Sequence, residues 1–326
     1  MDRRLITVFG GSGFIGRHLV PRLAAEGWIV RVVVRDPVKA EFLRVAGDVG
    51  QIVLLRGDAG NPASVARALR GAEAVVNLVG VLTEKRRGDF DRYHWKAAAS
   101  IATAAREAGV GRLVHISALG ADKTSDSAYA RSKASGEDAV LAAFPGATVL
   151  RPSVVFGTSD DFFNRFGRLV ANAPVIPIFT AFAPLFGPAP EHSHDAYRAG
   201  GTVFQPVWVG DVAQAVLRAL NEPATMGRVF ELGGPRRYSF KEILELILRE
   251  TGHNPWLVPL PFGAARALAR LMSVLPNPPL TIDQVKLLQV DNVVRGGKPG
   301  LTELGLVPTA LEAIVPDYLK LYCCRN

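Results

Sequence analysis

Leu5 to Gly16 reads L-I-T-V-F-G-G-S-G-F-I-G, and an amphipathic run continues from Phe14 to Ala25. Five apolar or β-branched residues predict a buried strand, the glycines a turn, and the run after them a helix. Each glycine has a physical use in that order. Gly10 permits the tight turn, Gly13 lets backbone approach a bound group, and Gly16 lets helix and sheet pack closely. The helix start adds unpaired N–H groups and the positive end of the helix dipole, so an anion belongs there. A ligand-free glycine turn is the plain alternative, and the strand, turn and helix in sequence weigh against it.

Outward from this stretch, short β-branched runs alternate with Ala-rich amphipathic ones. Leu5 to Phe9, Ile29 to Val34, Ile52 to Leu55, Ala74 to Val79, Leu113 to Ser117 and Thr148 to Leu150 read as strands. Strands apolar at nearly every position and separated by helices predict a parallel sheet covered on both faces. The expected fold class is α/β, a Rossmann-type doubly wound parallel sheet with a smaller, mainly helical C-terminal lobe. Residues 1–157 are expected to form the nucleotide-binding domain and 158–326 the lobe, interleaved with the sheet around 204–235. Helices are expected at Ser239 to Thr251, Phe262 to Val274, Ile282 to Val293 and Ala310 to Tyr322, over the sheet edge where ligands of open α/β sheets sit.

The chain of 326 residues is 48% hydrophobic, enough for a large core. Its net charge of +8, from 38 basic and 30 acidic side chains, favours an anionic partner: nucleic acid, lipid or a phosphate-bearing cofactor. The two cysteines, Cys323 and Cys324, are neighbours and cannot staple distant parts of the fold, which suits a reducing compartment. The first strand at Leu5 leaves no room for a leader, so the chain reads as a mature or cytoplasmic protein. Leu169 to Pro190 is uncharged and long enough to span a bilayer, but its five prolines exclude a spanning helix. No basic and aromatic interleaving on strands points to nucleic acid.

The choice of nucleotide is read at the end of the second strand, V-V-V-R-D-P. Arg35 suits a 2′-phosphate, which a guanidinium grips in a bidentate, charge-assisted way, and Arg17 and Lys39 could add to the field. Asp36 beside it suits a free ribose 2′-OH. NADPH is the expectation and NAD the alternative. Asp58, with Ala59 after the third strand, could accept from an adenine amino group or serve only as a turn aspartate. Asn77 to Gly80, N-L-V-G, ends the fourth strand; Leu78, Val79 and Gly80 would let backbone approach the riboses, or form a simple turn.

Tyr129 and Lys133, in Y-A-R-S-K, fall on one face of a predicted helix. An ammonium beside a phenol stabilises the phenolate and lowers its pKa, which lets tyrosine exchange a proton while a nicotinamide exchanges a hydride. Together with the glycine turn, H-I-S-A-L-G-A at His115 to Ala121 and L-R-P-S-V-V-F-G at Leu150 to Gly157, this pair resembles the extended and atypical short-chain dehydrogenase/reductases. G-T-S-D-D-F-F-N-R-F from Gly157 and P-V-W-V-G-D-V-A from Pro206 are similar to one branch, the NADPH-binding accessory subunit of respiratory complex I. The resemblance implies a cofactor cradle of Gly10, Ser12, Gly13, Phe14, Ile15 and Gly16. It continues through Arg35, Lys39, Asp58, Ala59, Leu78, Val79, Gly80, Ser117, Tyr129, Lys133, Pro152 and Val154.

Catalytic members of the superfamily place a Ser or Thr hydroxyl beside the tyrosine, and strand alignment puts Ala118 there. Ser117 lies one residue early, and strand alternation would turn it away. The resemblance therefore implies a nucleotide held tightly without turnover, with Tyr129 and Lys133 vestigial as catalysts and kept as ribose anchors. It also implies a subunit on the cytoplasmic face of a bacterial inner membrane, or on the matrix side in a mitochondrion. Its partners would be other complex I subunits and anionic lipid, with no homo-oligomer and no nucleic acid. The rival is a free-standing NADP-dependent reductase or epimerase with Tyr129 as acid and base; a nucleotide-responsive redox sensor is a third reading.

Other features are weighed against plain alternatives. Ile176, Ile178, Phe179, Phe182, Leu185 and Phe186 would cover a partner or cap the lobe's own core. Arg266 and Arg270, in the helix from Phe262 to Leu275, would lie on anionic lipid or simply be solvated. Lys85 to Arg87 reads as a solvated turn. His192, His194 and Asp195 have ligand-like spacing, but their Gly- and Pro-flanked loop makes them surface residues, and no metal is expected.

Overall fold

The computed structural model describes residues 4–180 and 200–323, apart from 274, 276, 277 and 279. The chain divides into two compact units. The first takes residues 1–152, 209–232 and 295–307; the second takes 153–208, 233–294 and 308 onward.

The first unit holds a seven-stranded parallel sheet. Its strands are β1 (Leu5–Phe9), β2 (Ile29–Val34), β3 (Ile52–Arg56), β4 (Ala74–Asn77), β5 (Arg112–Ile116), β6 (Thr148–Pro152) and β11 (Val229–Leu232), in the order β11-β6-β5-β4-β1-β2-β3. All six pairings are parallel. The order reverses between β1 and β4, and a crevice at such a switch point, outside the carboxyl ends of the strands, is where these sheets take ligands. Helices α2 (Pro62–Leu69), α3 (Ala97–Glu107) and α4 (Ala128–Ala143) contribute Val65, Leu69, Ile101, Ala105 and Val140 to a core shared with Phe9, Val75 and Leu113. Helices α1 (Phe14–Ala25) and α6 (Val209–Asn221) pack on each other. Arg151 on β6 makes a two-pronged bond to Glu137 of α4, at 2.9 and 2.6 Å, and lies 3.5 Å from Glu231 of β11. Both carboxylates are almost fully buried, so this guanidinium neutralises what would otherwise be isolated buried charge.

Strand β4 stops at Asn77, two residues before the sequence expectation, because the Asn77 side-chain oxygen accepts from the Val79 N–H at 3.0 Å and turns the chain. Just before α3, residues Asp91–Lys96 form a π-helical turn, a form often met at functional sites.

The second unit is built around Phe156, Phe163, Phe204, Phe240, Ile247, Val285 and Tyr318. Its helices are α5 (Phe162–Asn172), α7 (Phe240–Thr251), α8 (Phe262–Met272), α9 (Ile282–Leu287) and α10 (Leu311–Leu319). Three two-stranded ladders join β7 (Val155–Phe156) with β10 (Val207–Trp208), β9 (Val203–Phe204) with β12 (Tyr238–Ser239), and β8 (Val175–Thr180) with β13 (Trp256–Pro261). Asp160 fixes the start of α5: it accepts from the Gly157, Phe163 and Asn164 backbone N–H groups and from the Tyr318 hydroxyl.

One pair of sequence alternatives is decided here and one expectation is corrected. From Leu169, α5 runs on to Asn172 and Val175–Thr180 pairs in parallel with β13. Ile176, Ile178 and Phe179 are buried in this unit's own core; Phe182, Leu185, Phe186, His192, His194 and Asp195 lie outside the described residues. The helix expected over Ile282 to Val293 ends at Leu287. Asp291 and Asn292 draw the chain away: the Asn292 backbone exchanges bonds with Val203 and Gln205, while its side-chain oxygen accepts from Ser153 and the Val154 N–H. Among the described residues no helix is long and apolar enough to cross a membrane.

Candidate functional site

The glycine turn between β1 and α1 is fixed by close approach. Gly10 has φ +78°, and a β-carbon there would lie 3.0 Å from the Leu78 carbonyl, at the end of β4. A β-carbon on Gly16 would overlap the Gly11 backbone, whereas one on Gly11 would press to 2.6 Å from Val32 and 3.1 Å from Val8. The sequence reading gave helix-to-sheet packing to Gly16. The structure divides it: Gly16 seats α1 on the turn, and Gly11 seats the turn on β1 and β2. A β-carbon on Gly13 would meet only the Gly10 carbonyl oxygen at 3.1 Å and is otherwise open. Helix α1 has no side-chain cap and no acidic residue in its first turn, so its leading N–H groups face no competing carboxylate. Ser12, Phe14 and Ile15, half-buried around this start, complete a cradle that fits a pyrophosphate.

At the ends of β2 and β3 lies a pocket of about 490 Å³, lined by Arg35, Arg56, Gly57, Asp58, Asn61, Ala63, Ser64 and Arg67. Gly57 lets it form, since a β-carbon there would press on the Ser64 hydroxyl and on Val33. Asp36 is engaged elsewhere: its carboxylate accepts from the Val38 N–H at 3.2 Å and pairs with Lys39 at 3.7 Å. Lys39 is therefore drawn to Asp36 and does not line the pocket. Arg17, the other cation expected here, stacks on the Phe42 ring. Asp58 accepts from the Gly60 N–H and from Arg92 of the π-helical turn at 2.7 Å. Ala59 packs against the apolar layer beneath the sheet.

Past β4 the surroundings change from exposed and cationic to buried. Lys133 is 6% exposed, and its ammonium donates to the Ile116 carbonyl at 3.3 Å. A β-carbon on Gly80 would come to 3.2 Å from that ammonium and 3.7 Å from the His94 ring, so the N-L-V-G turn closes directly over Lys133. His94 Nε2 accepts from the Val81 N–H at 3.0 Å, which leaves the proton on Nδ1 to meet Ser132 Oγ at 2.8 Å. Ser132 in turn donates to the Tyr129 carbonyl. The Tyr129 ring stands edge-on to Phe90 and His94.

Burial, strengthened by the Lys133 charge, lowers His94 to about 3 and His115 to about 3, so both are neutral at physiological pH. Burial lowers Lys133 to about 8, with Glu137 pulling the other way. Tyr129 is pushed up to about 12 by burial. This corrects the sequence reading, in which the lysine lowers the phenol.

His115 accepts from Asn77 at 3.1 Å through Nδ1, so its Nε2 carries the proton, and that N–H has no partner among the described residues. The Ser117 hydroxyl, 3% exposed, likewise has none. These two buried polar groups, spaced i and i+2 at the end of β5, are ones that a polar ligand could satisfy. Ala118, half-buried, follows them. Pro152 ends β6 and accepts from the Leu119 N–H, fixing this segment to the sheet, whereas Val154 belongs to the second unit. Sequence reasoning missed His94, Arg56, Arg67 and Arg92 because no motif surrounds them. It quoted His115 and Asn77 without giving their side chains a task.

Residues 10–154 match the family model described as NAD(P)H-binding. Over 308 residues, 94% of this chain and 77% of the relative, the protein is 34% identical to the mitochondrial NADH dehydrogenase [ubiquinone] 1 alpha subcomplex subunit 9 of Mus musculus. The chain belongs to the subunit 9 family. Its first unit is thus a nicotinamide dinucleotide-binding domain, as the glycine turn and the switch point between β1 and β4 had indicated. Subunit 9 relatives share the ground with enzymes: a ceramide reductase of Caulobacter vibrioides is 33% identical over 283 residues, 85% of this chain and 81% of that one. The fold reaches further, to a dTDP-glucose 4,6-dehydratase of Streptomyces venezuelae, with TM-score 0.71 at 18% identity, covering 97% of this chain and 96% of that structure.

Proposed function

We propose that this protein is an NADPH-binding accessory subunit of the respiratory NADH:quinone oxidoreductase, holding its nucleotide as part of its own folded structure rather than turning it over. The reading of the assembly rests on likeness to subunit 9 along nearly the whole chain. What supports the absence of turnover is Ala118 at the position expected for a hydroxyl, together with the phenol of Tyr129. A general acid working near neutral pH needs its pKa drawn toward that range, yet burial raises this one to about 12 beside a lysine that burial has weakened to about 8. Ala118, in place of the expected hydroxyl, leaves a substrate oxygen without its second donor.

NADPH over NADH is supported by the division of labour at the end of β2: Arg35 lines the pocket while the Asp36 carboxylate is spent on its own turn. When bound, a nicotinamide dinucleotide can supply a hydride. The chain's own residues cradle the pyrophosphate at the start of α1 and hold the adenosine end at β2 and β3. Tyr129 and Lys133 would anchor the nicotinamide ribose, which stabilises the folded state by mass action. The protein would sit peripherally on the cytoplasmic or matrix side of the membrane, against other subunits and anionic lipid.

The test is native isolation from membranes followed by a turnover assay. Co-purification with iron-sulfur and membrane proteins, and retained NADPH that no carbonyl substrate oxidises, is the expected result. A chain recovered alone, consuming NADPH with a keto-lipid or small carbonyl and losing this on Tyr129→Phe, would instead establish the reductase reading that the ceramide reductase likeness keeps in view.

A further inference from the structure

The pocket at the ends of β2 and β3 has three arginines among its lining residues, and only one of them, Arg35, stands at the position a dinucleotide domain ordinarily uses. Arg56 is the last residue of β3, in register with Val34 of β2, and Arg67 reaches in from α2. Arg67 also donates from its guanidinium to the Arg56 carbonyl at 3.2 Å, which fixes the tip of that side chain at the end of β3. None of the three is within ion-pair distance of a carboxylate among the described residues. The single acidic residue on the wall, Asp58, is already neutralised by Arg92. Three like charges gathered around one cavity repel each other and carry no internal compensation, an arrangement that an incoming dianion stabilises. A cavity of about 490 Å³ also exceeds what one phosphate needs and falls within the usual range for small-molecule sites, roughly 300–1,000 Å³.

We infer that Arg56 and Arg67, with Arg35, form a three-arginine site for a phosphate monoester on a nucleoside, and that these two side chains decide the preference for a 2′-phosphorylated dinucleotide. The inference rests on the dinucleotide-binding reading of the first unit. Arg35 alone would face a phosphate from one side. Arg56 and Arg67 supply donors from the neighbouring strand and helix, so the phosphate is enclosed rather than merely attracted. Arg92 takes part indirectly, by occupying the carboxylate that would repel the ligand.

The experiment is calorimetric titration of the full chain with NADPH and NADH, using wild type, Arg56→Gln, Arg67→Gln and the double variant. Exposed side chains are replaced, and thermal unfolding without nucleotide checks that the fold is kept. Each single variant is expected to weaken NADPH about tenfold and the double variant about a hundredfold, with NADH changed less than about twofold. In wild type, 2′-AMP should displace NADPH at concentrations where 5′-AMP and inorganic phosphate do not. NADPH affinity in the double variant within threefold of wild type would overturn the inference, as would a parallel loss of NADH or equal competition by inorganic phosphate, which marks a generic anion site. If wild type binds neither dinucleotide, it is the reading beneath that fails.

Discussion

The two ends of the nucleotide crevice are built on opposite principles. At the adenosine end the charged groups are exposed, numerous and uncompensated, and the one carboxylate on the wall is neutralised by Arg92. At the other end Lys133, His94 and His115 are buried, two of the three are neutral at physiological pH, and Tyr129 is held protonated. The first arrangement is suited to capture. The second fixes side chains through hydrogen bonds and ring contacts, and burial draws only Lys133, at about 8, toward neutrality while it pushes the Tyr129 phenol away.

The largest effect is expected where both ends share a support. Gly16→Val drives side-chain atoms into the Gly11 backbone and displaces the start of α1, so binding of either dinucleotide should fall more than about a hundredfold, with about 3 kcal/mol of stability lost. Calorimetry and thermal unfolding read both, and an unchanged NADPH affinity would remove the cradle from the account.

Lys133 separates stability from binding. Its pKa in the fold, about 8, lies below the ordinary lysine value, so below pH 8 the ammonium is buried at a cost of about 3 kcal/mol, which recedes as pH rises toward 10.5. Lys133→Met should therefore stabilise the nucleotide-free protein at pH 7 by about 2 kcal/mol, after loss of the bond to Ile116, and weaken NADPH about tenfold. A variant that is destabilised, or that binds as tightly as wild type, would mean the ammonium serves the fold alone.

The buried histidines give an effect that vanishes at neutral pH and grows only in acid. Their folded-state values of about 3 lie below the unfolded value near 6.5, so between these limits the unfolded chain holds protons that the fold refuses. Stability is full above pH 6.5 and is lost as pH falls, by up to about 1.4 kcal/mol per pH unit for each histidine. His115→Asn should roughly halve the slope that the pair contributes between pH 6 and 4 in thermal unfolding; an unchanged slope would contradict the burial argument.

Much of the fold was legible because it follows from local pattern: the apolar strands, the glycine turn and the helix after it announce a parallel sheet wherever they occur. Arg35 was legible for the same reason, standing at a fixed place on a recognisable strand. The end of β4 was misread for a local reason, the Asn77 side chain, whereas the other large misreadings come from long-range pairing. Asn292 breaks a good helical pattern because Val203, Gln205 and Ser153 satisfy its groups, and no window around residue 292 contains them. Arg56 and Arg67 meet Arg35 only once β2 and β3 pair, and His94 meets Lys133 only when the π-helical turn lies on α4. Gly136 is the trace of that contact, since a β-carbon there would collide with the His94 carbonyl, but a lone glycine in a helix does not name its neighbour.

The most direct test of the central claim is the identity of the nucleotide that the natively purified chain carries through denaturation and mass spectrometry. The account predicts close to one equivalent of the 2′-phosphorylated form, NADPH or NADP. A chain carrying NAD or NADH instead, or no adenine nucleotide at all, would contradict it.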